Sequence, residues 1–358
     1  MRKLDIYILK KYLFTFAYVM GLIMAIAVIF DISERIDDFL RFNPPFWAIL
    51  SDYYLNFVLF FSNLFSGLLL FISVIWFTSR LASRTEIVAI LSSGVSFRRM
   101  LLPYFIGASL IAGISLYLNH TILPHANKAR LAFEDQWLRK PYKNRDKNIH
   151  IQKKGGDAIY FESYNNLKDI GYKFSLTKWE DQRMVYKLNA DFARYDTLTG
   201  LWSLENYNIR EIDGDDEVLR HGLKMDTTLA IDREDLSRRQ NSVEAMTSKE
   251  LLAFIQKKED EGSDEVPFFL LKYHERSSYP FSTYIFTLIG VAIASRKVRG
   301  GIGLHLMMGI VIAVLYILAM KVTSVYATNR GLEPWLAVWI PNFLFLLFGM
   351  YIYRVAPK

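Results

Sequence analysis

Residues Arg80–Arg99 read RLASRTEIVAILSSGVSFRR and lie between two long uncharged segments, Tyr53–Ser79 and Met100–Thr121. Each flank is long enough to cross the hydrocarbon core of a bilayer, which takes about 20 helical residues. The stretch is therefore a short loop on one membrane face, yet its pattern is ordered. Ser83 and Glu86 have the S-x-x-E spacing of a capping box. Ile87, Val88, Ile90 and Leu91 follow at helical spacing, and Gly94 stands where a helix would stop. A short amphipathic helix over 83–94 is predicted, lying against the membrane. It carries one acid, Glu86, among Arg80, Arg84, Arg98 and Arg99. A structured helix in that place suits contact with a soluble partner.

Working outward, six segments lack Asp, Glu, Lys and Arg for 19 residues or more: Tyr12–Phe30, Tyr53–Ser79, Met100–Thr121, Ser277–Ser295, Gly300–Met320 and Pro334–Tyr353. Each predicts a transmembrane helix. The first is too long for a signal-peptide core and should remain as the first helix. The chain is 52% hydrophobic with a net charge of +7. Residues 125–275 carry 25 Lys and Arg against 28 Asp and Glu, so the basic excess belongs to the helical parts. It clusters at helix ends, which signals topology rather than nucleic-acid binding. With six crossings, 13 basic residues fall in 1–11, 80–99, 296–299 and 354–358, Arg2, Arg299 and Lys358 among them. The two short loops opposite hold only Arg35, Arg41 and Arg330. Both termini are expected in the cytoplasm, with the large polar stretch outside.

The first helix should continue past Phe30, because Ile32, Ile36, Phe39 and Leu40 extend its apolar stripe until Pro44 and Pro45. Arg35 and Arg41 then project near the outer headgroup level, either pairing with Asp37 and Asp38 or meeting an anionic lipid head. The third helix is expected to end near His120 and Pro124. In the fifth, Lys321 is a charge near the outer end of an apolar segment, where it snorkels or serves function.

Residues 148–231 alternate with period two. Tyr172, Phe174 and Leu176 are expected on one face, and Tyr186, Leu188, Ala190 and Phe192 continue the pattern. Asp196–Gly200 turns the chain, Trp202 and Leu204 open the next strand, and Asp213-Gly214 marks another turn. Six to eight strands predict an antiparallel sandwich or open barrel with an apolar interior. A helix follows over 247–261, and the charged run around 257–265 reads as a solvated linker. The expected fold is thus an α-helical membrane protein of six transmembrane helices plus an all-β, jelly-roll or sandwich-like periplasmic domain. Residues 1–124 would hold helices one to three, 125–272 the β-rich domain, and 273–358 helices four to six.

Catalytic signals are missing from the sequence. It has no cysteine, no G-x-x-x-x-G-K-[ST], no G-x-S-x-G and no metal-ligand spacing.

Two stretches, SRTEIVAILSSGVSFRRML at 83–101 and YHERSSYPFSTYIFTLIG at 273–290, resemble the lipopolysaccharide-export permeases of the LptF/LptG type, and LDIYILKKYLFTF at 4–16 is similar as well. The resemblance covers nearly the whole chain and leans slightly toward the LptG type. It implies a permease subunit of an ABC transporter in the bacterial inner membrane. Such a subunit pairs with a second permease of the family and sits on a cytoplasmic ATPase dimer. It extracts lipopolysaccharide and passes it to a periplasmic bridge protein. No cofactor is expected on this chain, since ATP and Mg²⁺ belong to the ATPase. The resemblance assigns the ATPase contact to the 83–94 helix, here Glu86 with Arg84, Ile90 and Leu91. It places lipid-head contacts at Arg35 and Arg41, with Lys321 as a further candidate. The lipid path in the β domain would run along Phe174, Tyr186, Phe192 and Trp202. Glu86 is also readable as a mere member of its own capping box. An ABC permease for another lipid or lipoprotein, a membrane receptor or scaffold, and a lipid-modifying enzyme are the other readings.

Overall fold

The computed structural model describes residues 3–138, 147–152, 157–180, 183–214, 216–229, 231, 236, 240–298 and 300–356. Arg2, Arg299 and Lys358, three of the basic residues that mark topology, lie outside these residues. The chain divides into two units. One takes Met1–Leu138, Glu244–Ser248 and Pro267–Lys358, and the other Arg139–Val243 and Lys249–Val266.

The first unit is helical. Helix α1, Lys3–Phe42, has 40 residues, about 60 Å at 1.5 Å per residue. As expected, it continues past Phe30 and stops just before Pro44. A short turn, α2 (Phe46–Ala48), and widened π-type turns over Ile49–Tyr54 lead into α3, Leu55–Leu64. A break at Phe65 separates this from α4, Ser66–Ser83. Helix α5, Glu86–Ser92, precedes α6, Phe97–Tyr117.

The third span does not end at His120. Widened turns at Leu118–Ile122 carry it into α7, Leu123–Phe133, and then to Leu138. Pro124 lies in the first turn of α7, where a missing N–H is tolerated, so it does not stop the helix.

Helix α8 (Ser248–Asp260) packs in the second unit, and after it come α9 (Val266–Ser278), a tight turn around Pro280, α10 (Ser282–Ala294), α11 (Gly301–Arg330) and α12 (Pro334–Val355). Six of the described helical stretches are long and apolar enough to cross a membrane. Helix α10 is their centre, with Phe286, Ile289 and Val291 buried. Its approach to α4 needs small residues, since a Cβ on Gly290 would strike Val74. Helices α1 and α11 are the opposite case. Phe14, Ile29, Phe30, Ile310, Val314 and Leu318 are all exposed, so these two helices turn long apolar faces outward.

In the second unit, six strands form one antiparallel sheet in sequence order: β1 Lys147–Gln152, β2 Ala158–Asn165, β3 Ile170–Glu180, β4 Arg183–Tyr195, β5 Trp202–Asp213 and β6 Asp216–Thr227. One face holds a core of Ile159, Phe161, Phe174, Leu188, Trp202 and Leu204. The simple alternation read from the sequence fails midway. Phe174, Leu188 and Ala190 are buried, but Phe192 is 37% exposed and Ala193 is the buried neighbour. Phe192 instead meets Tyr172 edge-on, with ring centroids 5.7 Å apart.

The cause is a row of irregular residues across three strands. Lys173 in β3 has φ 51° and Asn206 in β5 has φ 53°. Both bond the β4 residue between them, Lys173 to Asp191 at 2.8 Å and Asn206 to Asp191 at 3.2 Å. A left-handed residue in a strand re-aims the side chains after it, as in a β-bulge. The sheet therefore changes phase at this row. Lys173 draws the Asp191 carboxyl below its ordinary range, and Asp191 draws the Lys173 ammonium up.

Helix α8 buries Leu251, Phe254 and Ile255. The charged run after it is not a solvated linker. Lys258 pairs with the buried Glu261 at 2.8 Å, and the Glu261 carbonyl accepts the Gln152 amide.

Candidate functional site

The sequence places α5 by its cap, and the cap forms differently. The Ser83 hydroxyl donates to the Arg80 carbonyl at 2.9 Å and does not bond the start of α5. The chain turns at Thr85, which has φ 61°, a region a β-branched residue seldom enters. Arg84 and Thr85 donate their amides back to Arg80 and Ala82, which closes α4 tightly. Glu86 thus becomes the first residue of α5 rather than the third. Gly94 does end the segment, at φ 85°. The result is a sharp elbow of fixed geometry, held by Ile87, which is 2% exposed within the core that also contains Leu81, Phe97 and Met100.

Glu86 is half-buried and accepts a hydrogen bond from the Tyr7 hydroxyl at 2.9 Å. Lys11 in turn donates to that hydroxyl at 2.7 Å. On the adjoining turn, Arg99 pairs with Asp5, which is 2% exposed. The elbow is therefore tied to the start of α1 at two points. Arg84 is exposed. Ile90 and Leu91 are half-buried against the unit's own core, while Val88 is 62% exposed. The large outward apolar residue of α5 is Val88, with Ala89 exposed beside it, and helical periodicity alone does not separate Val88 from Ile87 and Ile90.

At the far end of α1, Arg35 does not pair with Asp37 or Asp38. Its partner is Asp31, one turn back, at 3.0 Å. The Asp31 carboxylate also accepts from Tyr53 at 2.9 Å and Tyr54 at 3.2 Å. The Arg35 Nε makes this pair, and among the described residues its terminal nitrogens have no hydrogen bond, which leaves them for another acceptor. The i, i+4 spacing of Asp31 and Arg35 is a signal in the sequence, whereas the two tyrosines reach Asp31 only through tertiary packing. Arg41 is exposed, over the Phe42 ring at 5.3 Å. Lys321 is exposed on α11, and among the described residues it has no ion pair.

Arg276, conspicuous in the 273–290 stretch, has a clear structural task. It donates to the Met246 carbonyl at 2.8 Å and the Ser248 hydroxyl at 3.3 Å. His120 reaches Ser248 at 2.9 Å, and Asn127 donates to the Glu244 carbonyl at 3.2 Å. Together they clamp the short return segment Glu244–Ser248 onto the helical unit. Burial raises the Glu244 carboxyl above its ordinary range.

On the sheet, Phe174 and Trp202 are each 1% exposed, and Tyr186 is half-buried beside them. Phe174 and Trp202 belong to one closed core that also contains Leu236. Phe192 does not join this face.

A multi-pass helical membrane protein, with an antiparallel sheet unit encoded between its third and fourth spans, is the class these observations define. The family model for the lipopolysaccharide export system permease LptF/LptG matches residues 6–355. The chain belongs to this family, and at family level it is a permease of lipopolysaccharide export. Comparison with curated proteins gives no match.

Proposed function

We propose that this chain is one permease subunit of a complex with a second permease of the family, driven by a cytoplasmic ATPase dimer that docks on α5. The complex lies in the inner membrane with both termini in the cytoplasm and the sheet unit in the periplasm. The observation that carries this reading is the elbow. Helix α5 is short, rigidly angled and bonded to α1 through Tyr7 and Glu86. A push on α5 therefore acts on the inner end of a continuous helix of about 60 Å, whose other end carries Arg35. The exposed apolar faces of α1 and α11 suit the acyl chains of lipopolysaccharide, with Arg35, Arg41 and Lys321 meeting its phosphates. Exposing such chains to water costs about 0.8 kcal/mol per CH₂, so a continuous apolar route is needed. The sheet face with Phe174, Tyr186 and Trp202 continues that route toward a periplasmic bridge protein, its closed core parting to admit the chains. ATP and Mg²⁺ act on the ATPase.

A carboxylate has lone pairs for several donors, so Glu86 can hold Tyr7 and still meet a basic group of the ATPase. Co-purification in mild detergent tests this. Glu86→Gln and Val88→Asp should lower ATPase recovery while the protein still inserts, whereas Tyr7→Phe should keep most of it. Equal recovery from all three variants and the parent would refute docking at α5. Recovery of a different soluble partner would favour the receptor reading.

A further inference from the structure

A pocket of about 670 Å³ opens beside the elbow, between the first turns of α1 and the end of α4. Its rim carries Lys10, Lys11, Arg80 and Arg84, and its only acid is Glu86. That acid already accepts from Tyr7. Among the described residues, none of the four cations has an ion pair. Long basic side chains at a helix end commonly reach separately into water. Here they converge on one concavity of ligand size. The wall is apolar and open, for Phe14 is 74% exposed and Trp76 43%. Cations lining one pocket with exposed aromatic rings match an ion with a hydrocarbon tail better than a free anion.

We propose that this pocket binds the phosphodiester head of an anionic phospholipid of the inner leaflet, with Lys10, Lys11, Arg80 and Arg84 on the phosphate and Phe14 and Trp76 against the chains. Basic pockets between membrane helices take such heads. Lys11 and Arg35 are separated along α1 by about 35 Å of helix, so the site is distinct from the outer end of α1, where the exported lipid is assigned. The phospholipid bridges α1, α4 and the elbow, and thereby adds a third tie to the two made by Tyr7 and Asp5. The inference rests on the membrane-spanning reading but not on ATPase docking, which the recovery experiment measures separately.

The test is tryptophan quenching of the full-length protein in phosphatidylcholine vesicles containing a minority of phosphatidylglycerol, with bromine on the chains of one lipid or the other. Subtracting the Trp76→Phe variant isolates the Trp76 signal. Brominated phosphatidylglycerol should quench Trp76 far more per molecule than brominated phosphatidylcholine. The preference should fall about fivefold for each cation removed, as in Lys10→Gln and Arg84→Gln, and survive Arg84→Lys. Equal quenching by the two lipids overturns the proposal, as does a preference unchanged by the double variant. Loss of the phosphatidylglycerol preference on adding inorganic phosphate, at constant ionic strength, also overturns it and marks a free-anion site.

Discussion

Replacing Asp31 by alanine removes one acceptor from three donors at once. The Tyr53 ring is fully buried and Tyr54 is 8% exposed. Both sit in an aromatic cluster with Phe57 and Phe133, and both hydroxyls donate to the Asp31 carboxylate. A buried hydroxyl left unpaired costs about 1–3 kcal/mol. The Arg35 side chain is 24% exposed, so loss of its ion pair adds no more than about 1 kcal/mol. The expected destabilisation for Asp31→Ala is about 4 kcal/mol. Asp31→Asn retains a carbonyl oxygen and should cost about half as much. Reversible unfolding of the purified protein in mixed micelles measures both. The decisive comparison is a cycle of Asp31→Ala with Tyr53→Phe, which should return a coupling of about 1–2 kcal/mol. Additive effects, with Asp31→Ala costing less than about 1 kcal/mol, would refute the three-donor account. Arg35→Gln should cost little stability yet lower crosslinking to lipopolysaccharide, because its terminal nitrogens are the part left for a phosphate.

Three further outcomes come from the packing and the sheet. A side chain on Gly107 would run into the Tyr12 ring, so Gly107→Val should destabilise the helical unit by about 1–3 kcal/mol in the same unfolding assay. Asp191 has its carboxyl pKa held low in the fold, so its contribution is present above the ordinary carboxylate pKa and is lost as pH falls through the lower folded value. Asp191→Asn should flatten the acid limb of the pH–stability profile below about pH 4. Lys173 has the opposite sign: its contribution is present below the ordinary lysine pKa and fades as pH rises through the raised folded value. A photo-crosslinker at Phe174 should trap lipopolysaccharide in cells while one at Phe192 does not, and labelling at Phe192 alone would reverse the face assignment.

Much of the molecule is legible because its largest signals are one-dimensional. A run of uncharged residues long enough for a bilayer is a property of the chain itself, and all six runs are helical, the second with a break at Phe65 and the fourth with a tight turn at Pro280. The extension of the first helix to Phe42 is readable for the same reason, since an apolar stripe persists until two prolines. The elbow is legible in place but not in construction. Ser83 spends its hydroxyl on the Arg80 carbonyl, and Thr85 takes the left-handed turn usually given to glycine. Which face of α5 remains open is settled by the core beneath Ile87, which also takes part of Ile90 and Leu91.

The number of spans, the existence of a strand-rich insert and the presence of an ordered helix between the second and third spans were determined by sequence alone. Each rests on local hydrophobic pattern and length. Partnership was decided only by the tertiary structure. Glu86 with Tyr7, Asp31 with two tyrosines, and Arg276 with the return segment all depend on contacts beyond the reach of a local pattern. The turn of Phe192 away from Phe174 belongs to the same group, because the phase of β4 is set by its neighbours. Asp191 binds Lys173 on one adjacent strand and Asn206 on the other, and a period-two pattern within a single strand carries no record of that row.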